Sequence, residues 1–211
     1  YKPVIGQSFS FPSIWTLLFV FAMFITLIYP FKDLNGFGKF VLINTRSRKT
    51  WWYSKCCWII VTMAIINMII LSVIMIFGLI TKASFSGEVS EYCIAIANNK
   101  FDYYMYKSFD IGLKLVLPFF IMVAMSMLQM TISLVVKPNV SFMLTVTHII
   151  SAAFYKTPFL FSNYAMLLRN DAVVNNGLRA ATGILISIIV TVSSMIIGSI
   201  VFSRYDILNR E

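Results

Sequence analysis

The sequence predicts an all-α integral membrane protein, and three observations support this fold class. Hydrophobic residues make up 59% of the 211-residue chain, charged residues only 12%, and the mean hydropathy is +0.85. A soluble domain of this size would lack the polar residues to cover its surface, so the apolar excess must face lipid. No alternating ten-residue pattern suggests a membrane β-barrel, and backbone in lipid must then be helical.

Five apolar runs are long enough to cross about 30 Å of hydrocarbon, which needs roughly 20 helical residues. We expect a single domain over residues 1–211, with transmembrane helices at about 11–29, 57–81, 111–136, 141–161 and 180–202. Lys114 lies near one end of the third run, where its long side chain can reach the headgroups. Pro158 interrupts the fourth run and makes its end the least defined boundary.

The distribution of basic residues predicts which loops are cytoplasmic. Between the first two runs, six lysines and arginines accompany a single aspartate, an excess typical of cytoplasmic loops. Alternation then places residues 82–110 outside the cell as an outer loop and the C-terminus inside it. Tyr1 would lie outside, so we expect one more N-terminal transmembrane helix, which makes six.

The basic segment, residues 33–58, allows two interpretations. In the first it is only a topology signal, with aromatic side chains forming a belt at the membrane interface. That belt would consist of Trp51, Trp52, Tyr53 and Trp58.

The second interpretation adds a short amphipathic helix in the first half of the basic segment. Four residues there follow the helical spacing i, i+3, i+4, i+7, and two glycines lie at the start of the segment. The residues in this spacing are Phe37, Phe40, Val41 and Asn44. Such a helix lies flat on the membrane or docks onto another surface.

The stretch YPFKDLNGFGKFVLINTRSRKTWWYSKCCW, residues 29–58, resembles the cytoplasmic linker of type-2 permeases of ATP-binding cassette exporters. It is most similar to the small Firmicutes permeases that export peptide toxins or confer resistance to them. The shared features are an FKDL-G-G start, a short apolar helix and an R-SR-WW-SK stretch before the next span. The order of spans and loops is similar over all 211 residues, and the resemblance implies the six-helix permease fold.

In that family the short helix after this FKDL-G-G start sits in a groove of a cytoplasmic ATPase subunit. The resemblance therefore implies a coupling helix over residues 35–45, with basic residues after it that contact the ATPase or lipid phosphates. The residues assigned to this coupling role are Asn35, Gly36, Phe37, Gly38, Lys39, Phe40, Val41, Leu42, Ile43, Asn44, Arg46, Ser47 and Arg48.

The resemblance also implies partners, cargo and location. The partners would be an ATP-binding cassette ATPase subunit, a second permease copy or paralogue, and membrane lipids. The cargo would be an amphipathic peptide of bacteriocin or cytolytic-toxin type, or a lipid-like molecule, and the location a Gram-positive plasma membrane. Because the chain has no G-x-x-x-x-G-K-[ST] motif, we expect no cofactor on it, with ATP and Mg²⁺ on the partner ATPase.

Several residues within the spans are candidates for helix packing or for a transport pathway. They are Gln129, His148, Gly183, Ser187, Ser194 and Gly198. The small residues recur every three or four positions on the last span, which favours close helix packing over a pathway. The lone histidine has no acidic partner in any span, which favours structural hydrogen bonding over a proton relay. The glutamine is equally suited to another helix or to a wet cavity.

Residues 158–179 are too polar to span a membrane and too apolar for a free loop. The resemblance implies a re-entrant segment on the outer side. An interfacial helix packed against lipid is the alternative, and the sequence does not decide between them.

The residue pattern disfavours other functions. The spans contain no aspartate or glutamate, and His148 is the only histidine, so we expect neither an enzyme active site nor a metal site. Cys56, Cys57 and Cys93 are too few for a disulfide framework. The basic residues flank apolar spans, which disfavours nucleic-acid binding. A standalone immunity protein that works without an ATPase remains the main alternative to an exporter subunit, ahead of a membrane enzyme.

Overall fold

The computed structural model describes residues 11–45, 47–82, 111–166, 169–171 and 177–204. Six α-helices occur among them: α1 Ser13–Asn35, α2 Phe37–Thr45, α3 Arg48–Ile80, α4 Ile111–Ile132, α5 Pro138–Phe154 and α6 Ala180–Ser203. A 3₁₀ helix, Phe161–Ala165, lies between α5 and α6. The described residues contain no strand longer than an isolated bridge between Asn170 and Leu178, so the all-α fold class is confirmed for them.

Three helical segments are long and apolar enough to cross a membrane: Arg48–Ile80, Leu115–Ile132 and Ala180–Ser203. Two shorter apolar helices, Ser13–Leu27 and Pro138–Phe154, correspond to the first and fourth predicted spans. Each predicted span therefore coincides with a helix, and three of the five have the expected length. The outer loop beyond Lys82, like residues 1–10, lies outside the described residues.

The segment between the first two predicted spans is more helical than predicted. A short helix is present at residues 37–45, close to the predicted range 35–45, but the two flanking helices also extend into this segment. α1 continues through Pro30 to Asn35, and α3 begins at Arg48 instead of residue 57. The side chain of Ser47 caps α3 by accepting a hydrogen bond from the backbone N–H of Thr50 at 3.4 Å. The hydropathy pattern did not predict these helical turns because their residues are polar or basic.

The boundaries of the third and fourth spans also differ from the prediction. α4 ends at Ile132 and a turn follows, whereas α5 begins at Pro138, before the predicted residue 141. Proline suits a first helical position because its missing N–H has no partner there in any case. α5 ends at Phe154, since Tyr155 is already extended at φ −111° and ψ 125°. The predicted end at residue 161 is therefore wrong.

The helices pack around α4, which contacts α1, α3, α5, α6 and the 3₁₀ helix. Its side chains are buried on all sides between Ile121 and Met127. A helix that is apolar around its whole circumference suits this central position. α1 and α5 run antiparallel, because the ring of Phe24 lies 6.1 Å from Phe142 and that of Phe11 lies 5.9 Å from Phe154.

α3 divides into a packed half and an exposed half. Its buried side chains all lie between Trp51 and Met63 and face α1, α4 and α6. Beyond Met63 no side chain of α3 is buried, and most of its apolar residues are exposed up to Ile80. This second half therefore offers a largely apolar surface that suits lipid contact.

Replacement of Gly198 by alanine should loosen the contact between α3 and α6. A Cβ at this position would collide with the indole ring of Trp52, which is itself fully buried. We expect a loss of about 1–3 kcal/mol in the free energy of unfolding, typical of overpacking. Thermal or denaturant unfolding of the purified protein in detergent measures this loss.

The matched control is Gly78→Ala in the exposed half of α3. Alanine has the higher helix propensity, so this change should leave stability unchanged or raise it by up to about 1 kcal/mol. Equal effects of the two substitutions would contradict the packing described here.

Candidate functional site

Three helix ends lie together with α2 at one end of the bundle, which we call the α2 end. They are the C-termini of α1 and α6 and the N-terminus of α3. The rings of Trp51 and Phe202 stack at 4.8 Å between centroids. The guanidinium of Arg48 donates a hydrogen bond from Nη1 to the carbonyl oxygen of Ser203 at 3.1 Å. The start of α3 is thereby attached to the end of α6.

A buried ion pair lies at the centre of the α2 end. Oδ2 of Asp33 lies 2.7 Å from Nζ of Lys55, and the two side chains are only 16% and 9% exposed. The same oxygen accepts a hydrogen bond from Nε1 of Trp51 at 3.2 Å. Nζ of Lys55 also lies 5.2 Å from the Trp51 ring centroid, within cation–π range. These contacts join the last turn of α1 to the first turns of α3.

α2 is held against this ion pair by one face and leaves the other exposed. Gly38 is buried and lies so close to the carboxyl group of Asp33 that a Cβ would collide with it. Leu42, one turn later, is buried in the core. Phe40 is 68% exposed and Asn44 is also exposed. The buried face is therefore formed by Gly38 and Leu42, and not by the predicted stripe through Phe40.

The residues predicted for coupling fall on three elements. Asn35 ends α1, Gly36 departs from helical geometry and joins α1 to α2, and the backbone of residues 37–45 forms α2. Ser47 caps α3 and Arg48 begins it. Arg46 lies outside the described residues, as do the side chains of Asn35, Phe37, Lys39 and Ile43.

The predicted aromatic belt is wrong for its first two members. Trp51 and Trp52 are buried, and only Tyr53 of this group is clearly exposed. Nε1 of Trp52 donates a hydrogen bond to the carbonyl oxygen of Met195 on α6 at 3.0 Å. The partners that bury these rings lie far along the chain, so sequence reasoning missed both them and the Asp33–Lys55 pair. The sequence feature that could have indicated this pair is the single acidic residue among six basic ones between the first two spans.

Gln129 joins three helices inside the bundle. Its Nε2 donates to the carbonyl oxygen of Met23 on α1 at 2.9 Å, and its Oε1 accepts from the hydroxyl of Thr145 on α5 at 2.8 Å. Ser141 donates from Oγ to the backbone oxygen of Gln129 at 2.6 Å. Because the glutamine is fully buried and all these partners are protein groups, it faces other helices and not a wet cavity.

The small residues of α6 form one buried face. Gly183, Ser187, Ser194 and Gly198 are all buried there. Gly183 lies against the side chain of Tyr164 in the 3₁₀ helix, and Gly198 lies against Trp52. The hydroxyl of Ser187 bonds within α6, to the carbonyl oxygen of Gly183 at 2.8 Å. Small side chains here allow large aromatic rings to approach the backbone of α6 closely.

His148 lies on α5 beside the 3₁₀ helix. Its ring centroid is 4.9 Å from that of Phe161. Nε2 is buried and has no hydrogen-bond partner among the described residues. The structure therefore shows aromatic packing at this histidine, and the structural hydrogen bond that we expected from the sequence stays a prediction.

A buried arginine closes the opposite end of the bundle. The guanidinium of Arg169 donates to the carbonyl oxygens of Ala152, Ala153 and Tyr155 and to Oδ1 of Asn163, with the Ala153 contact at 2.6 Å. It thus supplies donors to the last turn of α5, whose carbonyl groups have no partner within the helix. Burial lowers the pKa of this guanidinium from its ordinary value.

The 3₁₀ helix between α5 and α6 packs inwards. Phe161, Ser162, Asn163 and Tyr164 are all buried. Nδ2 of Asn163 donates to the carbonyl oxygens of Tyr155 and Thr157 at 2.9 and 3.0 Å. Within residues 158–179, these four side chains are buried, whereas Phe159 is 92% exposed. The re-entrant segment and the interfacial helix both stay predictions.

The described residues contain no group of three or more histidine, cysteine or acidic side chains able to hold a metal ion. Cys56 is buried in α3 and Cys57 is exposed, and both are free thiols.

Comparison with known families gives one match. Residues 2–208 match the family DUF2705, described as a protein of unknown function. The chain belongs to this family. No curated protein and no solved structure matches it. The description of DUF2705 assigns no activity, so the resemblance to exporter permeases stays a prediction.

Replacement of Arg169 by methionine should destabilise the end of α5. Three carbonyl oxygens and one amide oxygen would lose a charged donor, and hydrogen bonds to charged groups contribute about 1.5–3 kcal/mol each. We expect at least about 3 kcal/mol of lost stability in a denaturant titration. Arg169→Lys should be intermediate, since an ammonium cannot reproduce the planar fork of donors.

Arg179→Met is the matched control, because Arg179 is exposed just before α6. Exposed substitutions of this kind usually change stability by no more than about 0.5 kcal/mol. A loss at Arg169→Met no larger than at Arg179→Met would contradict the role assigned to the buried arginine.

Proposed function

We propose that this chain is the transmembrane subunit of an ATP-driven exporter and that a separate ATPase subunit binds to α2. The observation that carries the proposal is the position of α2. This short helix lies at the end of the bundle, is fixed by Gly38 and Leu42, and leaves Phe40 68% exposed. Exposed aromatic side chains often serve as anchors in protein interfaces, and Phe40 is placed to do so because the other face of α2 packs on the bundle.

The charges around α2 support a cytoplasmic location for this surface. Arg48, Lys49 and Arg204 are exposed at the α2 end. Basic residues next to membrane spans favour the cytoplasmic side, where a soluble ATPase and its nucleotide would be found. We therefore infer that the opposite end, which Arg169 closes, faces outwards.

The contacts of the α2 end supply a route from α2 into the membrane helices. Asp33 contacts Gly38 of α2 and pairs with Lys55 of α3. Trp51 and Trp52 of α3 then pack on Phe202 of α6, at 4.8 and 5.9 Å between ring centroids. Movement of α2 on an ATPase would thus displace two long helices, as rigid-body transmission requires.

The cargo we propose is an amphipathic peptide, of bacteriocin or cytolytic-toxin type, or a lipid-like molecule. The outward surfaces of α3 and α6 are almost wholly apolar, which suits such cargo and the bilayer from which it would be taken. A second copy of the chain, or a paralogue, would complete the pathway. These assignments of cargo and stoichiometry rest on the resemblance to exporter permeases.

A standalone immunity protein is the second candidate. It would need no ATPase, and the exposed face of α2 would then contact lipid headgroups or a toxin. A membrane enzyme is less well supported, since the charged side chains of the described helices form an ion pair and not a nucleophile–base arrangement.

Replacement of Phe40 by alanine should abolish capture of the ATPase. The full chain, tagged and extracted from its native membrane in mild detergent, should bring down a protein with a G-x-x-x-x-G-K-[ST] motif, identified by mass spectrometry. We expect at least a tenfold lower yield of this ATPase with Phe40→Ala, because central aromatic side chains contribute about 2 kcal/mol or more to protein interfaces.

Phe77→Ala provides the matched control. Phe77 is 67% exposed, almost the same as Phe40, but lies in the apolar outer half of α3. Its replacement should leave the yield of ATPase unchanged. If the wild-type chain brings down no protein with that motif, the exporter proposal fails and the standalone interpretation gains support.

A further inference from the structure

We infer that Asp33 is a positioning residue that sets the orientation of α2 relative to α3. The inference deepens the proposed function, because it names the joint through which α2 would drive the membrane helices. It rests on the contacts of a single carboxylate with two other elements of the fold.

The side chain of Asp33 contacts both α3 and α2. Its Oδ2 binds Lys55 Nζ at 2.7 Å and Trp51 Nε1 at 3.2 Å, two residues one turn apart on α3. The same carboxyl group abuts Gly38 of α2. Since α2 packs chiefly against α1, the last turn of α1 is the main connection between α2 and α3.

Burial makes this joint stiff. With side-chain exposures of 16% and 9%, both Asp33 and Lys55 are largely shielded from solvent. Removing one member of a buried pair is therefore more destabilising than removing one member of an exposed pair. The carboxylate therefore holds α3 at one distance and angle, and α2 follows through Gly38.

The contact between Asp33 and Lys55 requires a residue without a side chain at position 38. A side chain at this position would displace the carboxyl group of Asp33 from Lys55, because a Cβ would occupy the space of that carboxyl. Gly36, three residues after Asp33, leaves helical geometry and separates α1 from α2. Residues 46 and 47 join α2 to α3 along the chain, so without the ion pair α2 would stay attached at both ends, but Asp33 would no longer fix its angle to α3.

Electron paramagnetic resonance distances between two spin labels test this inference. Cysteines replace the exposed residues Phe40 on α2 and Tyr53 on α3, in a full-length chain carrying Cys56→Ala, Cys57→Ser and Cys93→Ser. The protein is reconstituted in lipid nanodiscs without any ATPase. We expect a single narrow distance distribution when Asp33 and Lys55 are intact.

Asp33→Asn and Lys55→Met should each broaden this distribution at least twofold, and the double variant should be no broader than either single one. Lys55→Arg keeps the charge and should restore the narrow distribution. Lys49→Met, which removes an exposed cation from the first turn of α3, is the matched control and should have no effect.

An unchanged distribution in both Asp33→Asn and Lys55→Met would overturn the inference, as would equal broadening in Lys49→Met or in Lys55→Arg. Should Asp33→Asn fail to fold, the comparison of Lys55→Met with Lys55→Arg still decides the outcome. Because no ATPase is present, this result is independent of the capture experiment with Phe40→Ala. The role of Asp33 and the exporter function are therefore tested independently.

Discussion

Buried polar groups inside an apolar helix bundle need hydrogen-bond partners within the protein, and the arrangement of these helices depends on that constraint. Three clusters meet it. Gln129 connects α1, α4 and α5; Arg169 connects α5 to the segment that follows it; and Asp33 connects α1 to α3. Each cluster joins elements whose apolar surfaces alone would allow several relative positions.

The three clusters differ in the free energy needed to separate their polar groups. Gln129 makes neutral hydrogen bonds, and measured bonds of this kind in membrane proteins are modest, averaging about 0.6 kcal/mol. Arg169 and Asp33 are charged and buried, so separating them from their partners would require far more free energy. The charged clusters therefore lie at the two ends of the bundle, and the neutral one lies in its middle.

Not every buried polar atom is satisfied. Among the described residues, Trp15 Nε1, His148 Nε2 and Ser162 Oγ are buried without a hydrogen-bond partner. They belong to α1, α5 and the 3₁₀ helix, away from the α2 end. Asp33, in contrast, has two partners on its Oδ2 atom, Lys55 and Trp51.

The sequence by itself determined the helical class, the positions of the five apolar segments and the existence of α2. These features depend on local composition and spacing, which the chain carries within about 20 residues. The tertiary structure alone decided that Trp51 and Trp52 are buried, since an amphipathic indole suits an interface and a core equally well and Phe202 lies far away in the chain. It also decided the partners of Arg169, because backbone carbonyl groups are the same in every residue and leave no mark in the sequence.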